Sequence, residues 1–215
     1  MRTVIAVPCM DSMPVHFVQS LLFMEKPDDV RCVLASGSLV YDSRNELINR
    51  AKEAEADRIL FIDSDMQFDR DLMVRLGEDI DAGCEIVAPL CFKRKPPFTP
   101  VIYSEMYIKE EDGKKIPTAT VMHDYPPSNL FQVEAVGFGC VMMTMKAVEK
   151  VVEKFGPWPF APLTGFGEDM SFCIRARLAG VELWCDSRIR VGHVGYYTYG
   201  EFDYRKYREG QPDAR

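Results

Sequence analysis

Four short apolar runs, separated by segments with helical spacing, constrain this chain more than any other feature. The runs are Thr3–Val7, Arg31–Ala35, Ile59–Ile62 and Glu85–Pro89. Between the first two, Val15, Val18, Leu21 and Leu22 follow Pro14 at helical intervals. Ser43 and Glu46 have the spacing of a capping box opening a helix with Leu47, Ile48, Ala51 and Ala54 on one face. A further helix is expected near Arg70–Gly83. Ile59–Ile62 is continuously apolar, as a strand buried on both faces must be. Strand–helix alternation of this kind predicts an α/β fold with a mostly parallel central sheet flanked by helices.

The pattern changes from Cys91. CFKRKPPFTP reads as a loop with three adjacent positive charges, and residues 100–136 read as short strands around the charged turn Lys109–Lys115. A helix is expected near Lys146–Lys154, then a Gly/Pro/aromatic loop, a helix over Met170–Ala179 stopped by Gly180, and a last strand Val181–Cys185. Neither repeat, low-complexity segment nor linker is visible. The expectation is one domain over 1–215, with a nucleotide-binding half at about 1–90, an acceptor half at about 91–195 and an aromatic, basic tail at 196–215.

The length of 215 residues suits one well-filled domain, and 47% hydrophobic with 27% charged residues excludes wholesale disorder. The net charge of −7 argues against a protein that coats nucleic acid through its phosphates. An anionic small substrate would need a metal ion or a local positive cluster. The seven cysteines are scattered without a CxxC pair, which predicts free thiols and a reducing compartment. No run approaches the ~18 apolar residues of a membrane span. The expected location is cytoplasmic, with no membrane partner.

The chemistry concentrates at three places. Asp63-Ser64-Asp65 follows Ile59–Ile62 directly, where a parallel sheet places its ligands. Paired hard oxygen donors there suit Mg²⁺ or Mn²⁺ beside a phosphate, although a solvated turn with Asp65 or Asp69 capping the next helix has the same sequence. Glu168 and Asp169 open a helix between glycines and close to Trp158, Phe160 and Phe166. That is either an ordinary N-terminal cap or a carboxylate positioned to take a hydroxyl proton. His193 stands beside Gly192 after the last strand, as a surface histidine or a ligand.

Taken in order, Pro8, Ser43-Arg44-Asn45, Phe61–Met66, Val136–Cys140, Gly167-Glu168-Asp169 with Arg175 and Gly180, and Gly192-His193 resemble a GT-A-fold glycosyltransferase of the family 2 type, in the compact form found among phage and bacterial proteins. The resemblance covers about residues 3–195. It implies a divalent cation, Mn²⁺ or Mg²⁺, held by Asp65, Asp63 and His193 against the diphosphate of a nucleotide-sugar, by default UDP-linked. Pro8, Arg44 and Ser64 would line the nucleotide pocket, and Gly137 and Gly139 its floor near the sugar. Asp169 would be the base of an inverting transfer and Glu168 would orient the acceptor. The acceptor is a hydroxyl of a glycan, protein, small molecule or modified DNA base.

The QxxRW-like motif and membrane helices of processive polysaccharide synthases are missing, so transfer of one sugar is expected. A nucleotidyltransferase would need a Gly-rich basic loop after the first strand, and Pro8–Pro14 has neither Gly nor Lys. A non-catalytic nucleotide-sugar-binding homologue is the other alternative. Lys93–Lys95 and the tail Tyr196–Arg208 are expected to be mobile and to order over the donor.

Overall fold

A computed structural model of the chain describes residues 1–195 and 198–210. In chain order the elements are β1 (Thr3–Cys9), α1 (Val15–Phe23), β2 (Val30–Ser36), α2 (Val40–Glu53), β3 (Arg58–Ile62), β4 (Met66–Phe68), α3 (Leu72–Asp81) and β5 (Ile86–Leu90). There follow β6 (Ile102–Glu111), β7 (Lys114–Val121), β8 (Leu130–Val133), β9 (Ala135–Val136), β10 (Cys140–Thr144) and α4 (Met145–Phe155). The described chain closes with α5 (Glu168–Leu178), β11 (Leu183–Val194), β12 (Thr198–Tyr199) and α6 (Glu201–Glu209).

The main sheet runs β12-β11-β5-β10-β3-β1-β2. β1 pairs in parallel with β2 and β3, and β5 with β11, while β10 lies antiparallel between β3 and β5. The α/β fold expected from the alternation is therefore present, with one antiparallel strand from the second half wedged into it. β3 and β5 are buried along their whole lengths, which is why both read as unbroken apolar runs.

Alternation along β1 and β3 divides the core between the two faces of the sheet. Val4, Ala6, Ile59 and Phe61 pack with Leu47, Ile48, Val148 and Phe172, beneath α2, α4 and α5. Ile5, Val7, Leu60 and Ile62 pack with Phe17, Leu72, Leu76 and Ile80, beneath α1 and α3. A separate hairpin of β6 and β7, with β9 on its other side, makes a second sheet.

Three local expectations are corrected. α2 begins three residues before the predicted capping box, with Leu39 at its N-cap and no side-chain cap. The Leu39 carbonyl already accepts from the Asp42 and Ser43 amides, so Ser43 lies inside the helix, buried against Gly37. The last strand runs to Val194 rather than Cys185, because polar Asp186, Ser187, Arg188 and Arg190 hide a strand that leaves the core sheet to pair with β4 and β12. The tail forms α6, whose Tyr204 is buried against Phe92 at a ring distance of 5.4 Å. Tyr196 and Tyr197 lie outside the described residues.

All seven cysteines are free, as their scatter predicts. No helix of the described residues is long and apolar enough to cross a membrane.

Candidate functional site

Asp63, Ser64 and Asp65 leave the carboxyl end of β3, and the chain turns back at once into β4. The Asp63 amide donates to the Gly139 carbonyl at 2.9 Å and the Met66 amide to the Asp63 carbonyl at 3.1 Å. Both bonds fix the turn. Pro8, Ser43, Ser64 and the two carboxylates line a cavity of about 250 Å³ together with Cys9, Gly37 and Ser38. A larger hollow of about 660 Å³ lies between β4, β11 and α6, and Asp63, Asp65, Glu168 and Asp169 are all absent from its lining.

The expected trio of metal ligands is not assembled. Arg44 donates from Nη2 to Asp63 Oδ1 at 2.8 Å, so this carboxylate has a guanidinium partner already. Among the described residues no three His, Cys, Asp or Glu side chains gather closely enough for one cation. Asp65 and His193 do meet. β4 and β11 pair Met66 with His193, which brings His193 Nε2 to 3.3 Å from Asp65 Oδ2. His193 Nδ1 stands 3.1 Å from the Phe92 carbonyl, an acceptor only, so Nδ1 donates to it and Nε2 faces the carboxylate. Asp65 Oδ1 is buried and has no hydrogen-bond partner among the described residues. An orphaned carboxylate oxygen beside an imidazole nitrogen fits a divalent cation that keeps its other positions for phosphate and water.

Burial sets the electrostatics of the cluster. Asp63 is pushed up to about 6 by burial and by Asp65 and Glu168, against the pull of Arg44. Asp65 is held below the ordinary carboxylate value because hydrogen bonding and charge from His193 and Arg94 outweigh its burial.

Arg44 does not line the cavity as expected. Its side chain is only 2% exposed, and its guanidinium lies 5.4–5.9 Å from the rings of Phe61, Phe138 and Phe160. From there it reaches Asp63, Glu168 Oε1 at 3.4 Å and the Phe138 carbonyl at 3.4 Å. It thus joins the end of β3 to the start of α5.

Glu168 and Asp169 occupy the first turn of α5, where the N-cap is Gly167 and no side chain caps the helix. Asp169 Oδ1 accepts from the Met170 amide at 2.7 Å. Burial and the neighbouring Glu168 push the Asp169 carboxyl up, so the helix terminus does not dominate as its position alone suggests. Gly137 and Gly139 bracket Phe138 behind this cluster. A Cβ on Gly137 would sit 2.5 Å from Val101 Cγ1, and one on Gly139 3.1 Å from Met66 Sδ. Close packing, rather than an open pocket floor, is what these glycines visibly permit.

Two partners escape sequence reasoning. Arg94 donates to Asp65 Oδ2 at 2.9 Å, and the Phe92 carbonyl orients His193. The three adjacent basic residues read as a segment over the donor and not as a partner for Asp65, and a main-chain carbonyl leaves no signal.

The sheet order, the inserted antiparallel strand and the carboxylates at the end of β3 place the chain among GT-A-like α/β folds. Three solved structures share that fold. A197 from STIV superposes with a TM-score of 0.63 at 16% identity, covering 91% of this chain and 86% of its own. GalNAc-T7 with UDP, GalNAc and Mn²⁺ superposes at 0.62 and 10% identity, with 99% of this chain and 48% of the other covered. S. aureus TarS in complex with UDP-GlcNAc superposes at 0.55 and 12% identity, covering 87% and 56% respectively. This chain spans about half the length of the last two. No protein-family model and no curated protein matches the sequence.

Proposed function

We propose that the chain is a nucleotide-sugar glycosyltransferase that moves one sugar from a nucleoside-diphosphate donor, UDP-linked by default, to a hydroxyl acceptor. The observation that carries this reading is Asp65 in the lining of the cavity after β3, with His193 Nε2 3.3 Å from its Oδ2 and its Oδ1 unpartnered among the described residues. The molecules named with two of the fold neighbours, UDP, GalNAc and Mn²⁺ in one and UDP-GlcNAc in the other, support the same class.

In this reading Asp65 and His193 would hold Mn²⁺ or Mg²⁺, which would supply positive charge against the diphosphate leaving group. Asp63 acts at one remove, since Arg44 holds it, and Arg44 is a positioning residue that sets Asp63 and Glu168 together. Pro8 and Ser64 line the nucleotide cavity in the 1–90 half. Asp169, in the 91–195 half, takes the proton of the acceptor hydroxyl. The hydroxyl oxygen forms its bond to the anomeric carbon as the sugar–phosphate bond breaks, and the electron pair leaves with the nucleoside diphosphate. Attack opposite the leaving group inverts the centre. The raised Asp169 carboxyl is a stronger base than a solvated aspartate once ionised. Glu168, braced by Arg44, orients the acceptor.

The test is release of UDP from UDP-sugars with Mn²⁺, with and without candidate acceptors. Asp65→Ala is expected to abolish the metal-dependent part of UDP binding. Asp169→Asn is expected to bind donor normally and to transfer roughly 10²–10⁴ times more slowly, the range for general-base catalysis. Near-parental transfer by Asp169→Asn sinks the base assignment, and UDP binding indifferent to Mn²⁺ and to Asp65 sinks the donor site.

A further inference from the structure

Arg94 pairs with the carboxylate read as a cation ligand. Its Nη1 lies 2.9 Å from Asp65 Oδ2, the same atom that His193 Nε2 approaches at 3.3 Å. The same Nη1 donates to the Val194 carbonyl at 3.3 Å. One guanidinium nitrogen on one carboxylate oxygen offsets the charge but leaves Asp65 Oδ1 buried and unpaired. The bidentate geometry that makes arginine–carboxylate pairs strong is not used.

We propose that Arg94 is an internal occupant of the cation position, competing with a divalent ion for Asp65, so that the ion binds only as the guanidinium leaves. This rests on the reading of Asp65 and His193 as cation ligands. The surroundings suit an exchange of this kind. The Arg94 side chain is 47% exposed, so it can reach water when displaced. The loop beneath it is internally hydrogen-bonded: the Lys93 amide donates to the Thr99 carbonyl at 3.0 Å and the Phe98 amide to the Lys95 carbonyl at 2.8 Å. Phe98 stacks on Tyr199 at 5.4 Å, and Phe92 bridges to Pro100. The exchange therefore needs a change of side-chain rotamer and not an opening of the loop.

A displaced Arg94 joins exposed Lys93 and Lys95 as a positive cluster with no counter-ion from Asp65. A nucleoside diphosphate supplies that counter-charge. Cation and diphosphate are then coupled through Arg94, each making the other's binding easier, and the coupling is reciprocal.

The experiment is calorimetric titration of Mn²⁺ into the whole chain with and without UDP, for the parent, Arg94→Gln and Asp65→Asn. Arg94→Gln is expected to bind Mn²⁺ alone roughly tenfold more tightly, the worth of one charge-assisted hydrogen bond, and to gain less from UDP than the parent. Unchanged Mn²⁺ affinity in Arg94→Gln, with binding lost in Asp65→Asn, overturns the competition and leaves the cation site standing. Mn²⁺ binding that survives Asp65→Asn overturns the cation site and the proposal with it.

Discussion

At the scale of single residues, buried carboxylates in this fold are held by few cations. Asp79 on α3 and Asp186 on β11 share Arg188, which donates to Asp79 Oδ1 at 2.8 Å and to both oxygens of Asp186 at 2.8 and 2.9 Å. Both carboxylates are almost fully buried, and Asp79 Oδ2 has no hydrogen-bond partner among the described residues. Burial and the facing Asp186 push Asp79 up to about 6. The folded state therefore holds this proton more tightly than the unfolded chain does. Stability from this group is fully present below the ordinary aspartate value near 3.8 and is lost as pH rises through about 6. Asp79→Asn keeps a hydrogen-bond acceptor for Arg188 and removes one buried charge. Its unfolding free energy in urea is expected to exceed that of the parent at pH 7.5 by roughly 1–3 kcal/mol, with the advantage shrinking as pH falls towards 3.8. A gap that does not change with pH removes Asp79 as its source.

Among the elements, α6 matters most for the site although it is the last in the chain. Its Tyr204 packs on Phe92 and hydrogen-bonds His123 Nδ1 at 3.1 Å, while the Phe92 carbonyl holds His193. The polar residues of α6 gave no apolar stripe to read; one buried tyrosine anchors it. Tyr204→Ala removes burial worth ~1.5–3 kcal/mol, so the undocked population is expected to rise at least about tenfold. Trypsin should then cut near Arg205 and Lys206 at a correspondingly higher rate. Unchanged cleavage means that α6 is held by other contacts. α2 teaches a complementary lesson. Its apolar positions Leu47, Ile48 and Ala51 were legible because core burial imposes helical spacing, but its start was not, because Ser43 packs under Gly37 instead of capping.

Over the whole molecule, Arg44 is the joint. It ties the turn after β3 to the start of α5 with a charge buried among Phe61, Phe138 and Phe160. Removing one partner of a buried ion pair leaves uncompensated charge behind. Arg44→Ala is expected to cost roughly 3–5 kcal/mol in urea unfolding, with Arg44→Lys recovering only part because lysine lacks the fork that reaches both carboxylates. A loss below about 1 kcal/mol, the worth of a surface pair, would deny Arg44 this role. The α/β alternation, the buried strand before Asp63 and the places where carboxylates collect were legible in the order of the residues. Those are local matters, because burial on a strand or helix imposes a period a few residues long. That order left undecided which partners meet. Arg44 and Glu168 are separated by 124 positions and Asp65 and His193 by 128, and no periodicity reaches that far. Only the insertion of β10, the return of β11 past the core sheet and the docking of α6 brought them together. The tertiary structure thus decided that Asp63 belongs to Arg44, and that Asp65 stands between His193 and Arg94 with one oxygen free.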